Sequence, residues 1–272
     1  MKNGIKYGFS TLGCPEWEWD DALAAASDLG FDGVELRGVG RHIYLPAAPA
    51  FSEANIPKAR AALARLGLTV PCLASGALLF DRSRESEARS EAETYIKLAA
   101  RLGAKYVRAL ADRGPAAGAV DEDCVIGNLR HLLPIAAQRG VSILIESNGV
   151  YAKTARLREL CDEIASPDLG VVWDVHHPHR FFGESAETSY NNLRPYIRHV
   201  HVKDSVMDGG IVRYRLTGKG DVPIFAAIEL LASGGYDGFV CLEWVRRWDN
   251  NLEEPGLVFP HFIQEVRGQI PS

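Results

Sequence analysis

Short runs of β-branched and other apolar residues alternate with longer segments rich in Ala, Leu, Arg and Glu along the whole chain. Alternation of this kind is typical of βα units that build a parallel sheet. We predict eight strands, at Lys6–Leu12, Gly33–Arg37, Leu68–Ser75, Lys105–Leu110, Val141–Ser147, Gly170–Val175, Ile197–Val202 and Gly238–Trp244.

The segments between these runs predict helices, because several open on acidic residues and stop at a glycine. The predicted helices cover Trp19–Leu29, Ser52–Leu66, a segment that ends at Leu102, Asp121–Gln138, Thr154–Ile164 and Ile224–Leu231. Pro134 lies inside one of them and should bend it. Pro255 and Pro260 predict an irregular tail that ends in a short helix.

Four phrases (LGFDGVEL, LGAKYVRA, RGVSILIE and GGYDGFVCLE) repeat one construction: a helix end, a glycine, a short turn and a buried strand. The chain shows no linker, no low-complexity stretch and no break in composition. An α/β barrel commonly needs about 250 residues. We therefore predict that residues 1–272 form a single (β/α)8 TIM barrel domain of the α/β class.

Composition narrows the function. The chain is 47% hydrophobic and 24% charged, with a net charge of -5. Binding to nucleic acid or to an anionic membrane needs a concentrated basic surface, so neither is the expected partner. No apolar run is long enough to span a bilayer, and the N-terminus lacks the apolar core of a signal peptide. Five scattered cysteines without a CxxC pair indicate free thiols, and hence a cytoplasmic protein.

Four consecutive strands place a potential metal ligand at or near the C-terminal end. Parallel barrels assemble their active sites at this end of the strands. Two glutamates, one aspartate and one histidine form a hard, oxygen-dominated set that suits one divalent ion: Mn²⁺, Mg²⁺ or Co²⁺, with Zn²⁺ as a further choice. The four residues are Glu146, Asp174, His201 and Glu243.

Several other polar residues follow the strands, each with two interpretations. Lys203 shares the inward face of its strand with His201, so it either takes part in catalysis or pairs with Asp174 or Glu243. Arg108 lies within a strand, where we expect it to pair with Glu146 or Glu35.

Arg37 follows the second strand and either binds a substrate carboxylate, phosphate or hydroxyl or forms a surface salt bridge. Trp17 either stacks on a sugar or packs in the core. His176 faces the barrel exterior in this interpretation, and His199 belongs with the surface or helix histidines.

The elements VELR, LIESN, VVWDVHH, HVHVKD and CLEW, in this order and spacing, resemble the xylose isomerase-like barrels. This superfamily contains sugar and sugar phosphate isomerases and epimerases, inosose dehydratases and family-2 AP endonucleases. The resemblance implies that the four residues above are metal ligands. It also implies that His177 contacts a substrate oxygen and that Glu146 or Glu243 serves as the base. We add Arg108 and Asn148 as candidate substrate contacts.

Two positions depart from the family pattern. Ketose 3-epimerases of the superfamily carry a second glutamate six residues after the strand-five ligand, and here that position is Ala152. Similarly, the substrate arginine expected after the strand-seven histidine is Met207. These departures count against the usual 3-epimerase mechanism and in favour of a dehydration reaction. The nuclease branch fits less well, because the further histidines of its zinc site have no counterpart here.

The leading hypothesis is a metal-dependent isomerase or epimerase of a sugar, sugar phosphate or related polyhydroxy-carbonyl compound, acting through an enediolate. A dehydratase or lyase acting on a keto-sugar or inosose is the alternative. A noncatalytic sugar-binding barrel and an AP endonuclease-like nuclease are further alternatives. The expected partner is a small carbohydrate, and a homodimer is an assembly that the resemblance allows.

Overall fold

The structure, a computed structural model, describes residues 4–269 of the chain. Within them ten strands, labelled β1 to β10 in chain order, cover Lys6–Ser10, Gly33–Glu35, Cys72–Leu78, Tyr106–Leu110, Ser142–Glu146, Leu169–Asp174, Ile197–Val202, Asp204–Asp208, Ile211–Arg215 and Phe239–Leu242. Nine helices of the same region, α1 to α9, cover Trp19–Asp28, Ile56–Leu66, Glu85–Leu102, Glu122–Ala137, Thr154–Ile164, His176–Phe182, Ala186–Leu193, Ile224–Ser233 and Pro255–Gln269.

Eight of the strands run parallel and form one curved sheet in the order β2-β1-β10-β7-β6-β5-β4-β3. Its two ends meet through parallel bridges that join Gly33 to Thr69 and Leu36 to Leu73. The ends of the sheet therefore close on each other, and helices surround it. The α/β barrel class predicted from the hydrophobic pattern is confirmed. None of the helices in the described region is long and apolar enough to cross a bilayer.

Most element boundaries follow the sequence signals. Helices α2 and α3 end at Gly67 and Gly103, which adopt left-handed φ angles of 65° and 84°. The Asp121 side chain accepts a hydrogen bond from the backbone N–H of Cys124 and so caps α4. Strand β3 begins only at Cys72, later than predicted, because Pro71 lacks the backbone N–H that a strand ladder needs.

Two regions differ from the prediction. Strands β8 and β9 form an antiparallel hairpin around Gly209 and Gly210, both with positive φ. A Gly-Gly pair between two short strands is a strong hairpin signal that the prediction overlooked. The predicted irregular tail is also wrong, since α9 is a regular helix of 15 residues.

Helix α9 contributes to the core despite its internal proline. Phe259 is fully buried and stacks on Phe9 of β1, with ring centroids 4.1 Å apart. Phe262 is also fully buried and packs near Phe31. Tertiary packing of an apolar face is the main source of helix stability in proteins. This burial accounts for a helix where two prolines predicted an irregular segment.

We expect Phe259→Ala to destabilise the fold by about 3–5 kcal/mol, because it removes a large aromatic side chain from a packed core. Leu257→Ala on the same helix is the matched control, since Leu257 is 53% exposed. Urea denaturation of both variants measures the difference. Equal midpoints would show that α9 does not contribute to the core.

Candidate functional site

A cavity of about 570 Å³ opens at the C-terminal end of the barrel strands. Its walls come from residues at the ends of the strands and from the loops that follow them. Predicted site residues on its wall are Arg37, Arg108, Glu146, Asn148, His177, Lys203 and Glu243. Ligand pockets in proteins typically measure roughly 300–1,000 Å³, so the cavity has the size of a small-molecule site.

The four predicted metal ligands lie together at the floor of this cavity. One ligand atom from each lies within 4.8 Å of the others. Asp174 and His201 have no exposed surface, whereas Glu146 and Glu243 are 4% and 6% exposed and reach the cavity. The barrel brings the four residues together because their strands β5, β6, β7 and β10 are neighbours in the sheet.

His201 is oriented by carboxylates on both ring nitrogens. Nε2 lies 2.6 Å from Oε2 of Glu35, while Nδ1 lies 3.3 Å from Oε1 of Glu146 and 3.5 Å from Oε1 of Glu243. Burial would lower the pKa of His201, but these carboxylates outweigh it and hold the pKa well above its ordinary value. A hydrogen bond from Nε2–H to Glu35 leaves Nδ1 as the nitrogen that faces the cluster.

Glu35 forms a second layer beneath the cluster. It is fully buried, and its Oε2 lies 2.7 Å from Nε2 of His199 as well as 2.6 Å from His201. Burial would raise the pKa of Glu35, but His201 and His199 hold it well below its ordinary value. The assignment of His199 to the surface is therefore wrong. His199 is two residues before His201 on β7, so it shares the same inward face.

Two permanent cations also lie at the floor. Nε of Arg108 lies 3.3 Å from Oε2 of Glu146, as the sequence predicted. Nζ of Lys203 donates to Asp174 and lies 2.6 Å from Oε2 of Glu243. Burial would lower the pKa of Lys203, but Asp174, Glu243 and Glu146 raise it instead, so Lys203 stays an ammonium.

The charges at the floor do not balance without a further cation. Arg108 and Lys203 oppose four buried carboxylates: Glu35, Glu146, Asp174 and Glu243. Burying unpaired charge is costly, and a protonated His201 supplies only one of the two missing positive charges. A divalent cation would supply both. The donor set, its burial and its charge deficit all fit such an ion.

Asp174 also fixes the first turn of helix α6, which carries His177. Its Oδ1 accepts hydrogen bonds from the backbone N–H groups of His176 and His177, at 2.8 and 3.0 Å. Nδ1 of His177 lies 3.3 Å from the carbonyl oxygen of Ser147. Because a carbonyl oxygen only accepts, Nδ1 carries the hydrogen and Nε2 carries the lone pair. Burial lowers the pKa of His177, which keeps the ring neutral at neutral pH.

His176 does not face the barrel exterior. It is buried, its Nε2 lies 2.9 Å from Oγ of Ser205, and its ring stacks on Tyr214 at 5.7 Å. Tyr214 lies on β9 of the hairpin and lines the cavity. The sequence prediction missed Tyr214 because it missed the hairpin.

Of the remaining predicted residues, Asn148 and Arg37 line the cavity and Trp17 does not. Nδ2 of Asn148 donates to the carbonyl oxygen of Asp112 at 3.2 Å. Arg37 lies 5.6 Å from the ring of Trp248, which is 60% exposed and lines the cavity. Trp17 lies apart from the cavity wall in the described region, with its ring edge on Phe259 at 5.7 Å. Trp248, rather than Trp17, is the indole that faces the cavity.

Comparisons with known proteins agree with this fold. The sequence profile described as a xylose isomerase-like TIM barrel matches residues 23–258. A fructoselysine 3-epimerase from Shigella flexneri is 25% identical over 283 residues, covering 98% of this chain and 99% of that protein.

Two solved structures share the fold, each with a TM-score of 0.79 and 18% identity. The probable 3-DHS dehydratase AsbF from Bacillus anthracis covers 97% of this chain and 100% of its own. The IOLI protein, solved with a bound zinc atom, covers 96% of both chains.

We expect the purified protein to contain about one divalent metal ion per chain, and Glu146→Gln to lose it, since one of four ligands is removed. Elemental analysis of the folded proteins measures the content. Glu163→Gln is the matched control, because Glu163 lies on α5 and is about half exposed. Equal metal content in all three proteins would contradict a site at Glu146.

Metal binding at neutral pH should release about one proton, because the raised pKa of His201 keeps its ring protonated in the metal-free protein. Titration calorimetry in buffers of different ionisation enthalpy measures this release from the slope of apparent heat against buffer enthalpy. His201→Asn should bind metal more weakly and release no such proton. A zero slope for the wild type would contradict coordination through Nδ1.

Proposed function

Because the chain belongs to the xylose isomerase-like TIM barrel family, we propose that it is a divalent-metal-dependent isomerase or epimerase. Its substrate would be a sugar, a sugar phosphate or a related polyhydroxy-carbonyl compound. The observation that carries the proposal is the pair of carboxylates, Glu146 and Glu243, that line the cavity and cluster with the buried Asp174 and His201. The full-length match to a fructoselysine 3-epimerase supports the same class.

In this proposal Glu146, Asp174, His201 and Glu243 hold one Mn²⁺, Mg²⁺, Co²⁺ or Zn²⁺ ion. When bound, such an ion acts as a Lewis acid toward a carbonyl oxygen and a neighbouring hydroxyl, which acidifies the intervening C–H bond. Glu35 would fix the orientation of His201 through the 2.6 Å contact at Nε2. Carboxylates behind a metal-binding histidine commonly have this role.

Proton transfer at carbon would belong to the two glutamates. Arg108 and His201 outweigh the effect of burial and lower the pKa of Glu146, which keeps that side chain ionised. Glu146 is the last residue of β5 and Glu243 follows β10, so they reach the cavity from either side of the β6–β7 pair. A base on one side and an acid on the other can remove a proton from one face of a carbon and return it to the opposite face.

Lys203 and His177 would interact with the oxygen atoms of the substrate. The Lys203 ammonium lines the cavity and would stabilise negative charge as it develops on a substrate oxygen. His177 presents a neutral ring with a lone pair on Nε2, which suits it to accept a hydroxyl proton. Asn148, held at Asp112, would donate a hydrogen bond to a substrate hydroxyl.

A dehydratase or lyase acting on a keto-sugar or inosose is the second candidate. Ala152 is fully buried and supplies no carboxylate where ketose 3-epimerases have one. Removal of the first proton is common to both reactions, and loss of a β-hydroxyl then completes elimination. The probable 3-DHS dehydratase shares this fold, so the barrel is compatible with either outcome.

We also propose a cytoplasmic location, which five buried cysteines without disulfides support. The homodimer stays a prediction.

Metal-loaded protein should catalyse exchange of a substrate C–H proton with solvent deuterium, read by NMR across a panel of keto-sugars and inososes. Glu243→Gln should slow this exchange by about 100-fold to 10,000-fold, as expected for loss of a general acid–base. Glu163→Gln should leave it unchanged. Appearance of an epimer or isomer supports the first candidate, and loss of water supports the second. Metal binding without any exchange would favour a noncatalytic sugar-binding barrel.

A further inference from the structure

The cavity has two halves of opposite character. The predicted metal ligands lie at or next to the C-terminal ends of β5, β6, β7 and β10. Three arginines line the other half and follow three further strands that are consecutive in the chain, β2, β3 and β4. They are Arg37, Arg84 and Arg113.

Arg37 is a half-buried guanidinium without an ion-pair partner. Among residues 4–269, no carboxylate oxygen lies within 4.0 Å of its nitrogens. Its Nη1 has a weak contact of 3.4 Å with the carbonyl oxygen of Ile43, and its guanidinium lies over Trp248. Burial and the neighbouring Arg108 lower the pKa of Arg37 to about 10, although Tyr95, Glu91 and Glu243 oppose this shift. The surface salt bridge considered for Arg37 is absent from the described region.

Arg113 and Arg84 add two charges that are free to bind a ligand. Arg113 is exposed and likewise has no carboxylate within 4.0 Å in the part of the chain that the structure describes. Arg84 pairs with Glu87 at 2.9 Å, but both side chains are more than half exposed. Such surface pairs contribute little, so Arg84 can exchange its partner at small cost.

The surrounding backbone is shaped to expose these groups. The register of β3 shifts between Ala74 and Leu78, and Gly76 in this bulge lines the cavity. A Cβ atom at Gly76 would lie 3.0 Å from Oε1 of Glu91 and 3.7 Å from Nη2 of Arg37. The glycine therefore leaves space beside the guanidinium. The loop of Arg113 is fixed by the buried Asp112, which accepts hydrogen bonds from Gly118 and Val150 at 2.9 Å.

We propose that this arginine half binds an anionic substituent of the substrate, a carboxylate or a phosphate, while the carbonyl end lies over the carboxylate floor. Guanidinium groups bind both anions through paired N–H donors. The acidic floor repels an anion and so gives the substrate one orientation. The inference rests on the proposed function, and it narrows the substrate class to keto-sugar acids or keto-sugar phosphates.

Calorimetric binding to the metal-loaded protein tests this with three probes of similar size: D-fructose, D-fructose 6-phosphate and D-fructuronate. At least one anion should bind about tenfold to a hundredfold more tightly than D-fructose, as expected for one or two charged hydrogen bonds. The preferred anion identifies phosphate or carboxylate as the group recognised.

Arg113→Gln should remove most of this advantage over D-fructose, and Arg37→Gln should do the same. Arg113 is exposed, so its variant tests the site even if Arg37→Gln fails to fold. Arg139→Gln, at an exposed position beyond α4, is the matched control and should keep the full advantage.

Failure of both anions to bind more tightly than D-fructose, including failure of all three to bind, overturns the inference. The same holds if the advantage persists in Arg113→Gln and Arg37→Gln. The deuterium-exchange assay separates this result from failure of the proposed function. Deuterium exchange on neutral sugars, together with no tighter binding of the anions, would contradict the arginine site alone. Arginine-dependent anion binding without any deuterium exchange would contradict the proposed isomerase or epimerase activity alone.

Discussion

Compensation of buried negative charge is the constraint on which the rest of this structure depends. Four carboxylates lie inside the barrel with almost no exposed surface. Burying each of them without opposing charge would be costly, and Arg108, Lys203 and a protonated His201 supply only part of that charge. A divalent cation would supply the rest. This charged interior differs from the layers of apolar side chains that fill most barrels.

A single strand contributes much of this arrangement. Inward positions alternate along β7 and the residue that follows it, so that His199, His201 and Lys203 face the barrel axis in succession. His199 binds Glu35 at the lower level, His201 joins Glu35 to the ligand cluster, and Lys203 joins two of the ligands at the cavity floor. The polar side chains inside the barrel therefore form successive layers, as apolar side chains do in other barrels, but hydrogen bonds and ion pairs connect these layers.

The sequence was informative wherever one strand determines the position of a side chain. Apolar runs ending in Glu146, Asp174, His201 and Glu243 predicted both the barrel and the gathering of these residues, because parallel strands all end at one rim. Prediction was poorer where position depends on packing between distant segments. Trp248 and Arg113 reach the cavity from irregular loops. Tyr214 depends on a hairpin, and α9 depends on the burial of Phe259 against β1. His199 was also predicted wrongly, but for a different reason. The alternation of inward and outward positions along its strand was sufficient to predict that it lies inside the barrel.

The β8–β9 hairpin has a consequence for motion. Its two strands pair only with each other in the described sheets, so no barrel ladder holds it in place. Packing of Tyr214 against His176 and Trp244 attaches it to the mouth. Segments outside a central sheet open at lower free energy than the strands within it. We therefore expect the hairpin side of the cavity wall to open more readily than the barrel strands that carry the ligand cluster, so that small molecules can enter and leave without rearrangement of that cluster.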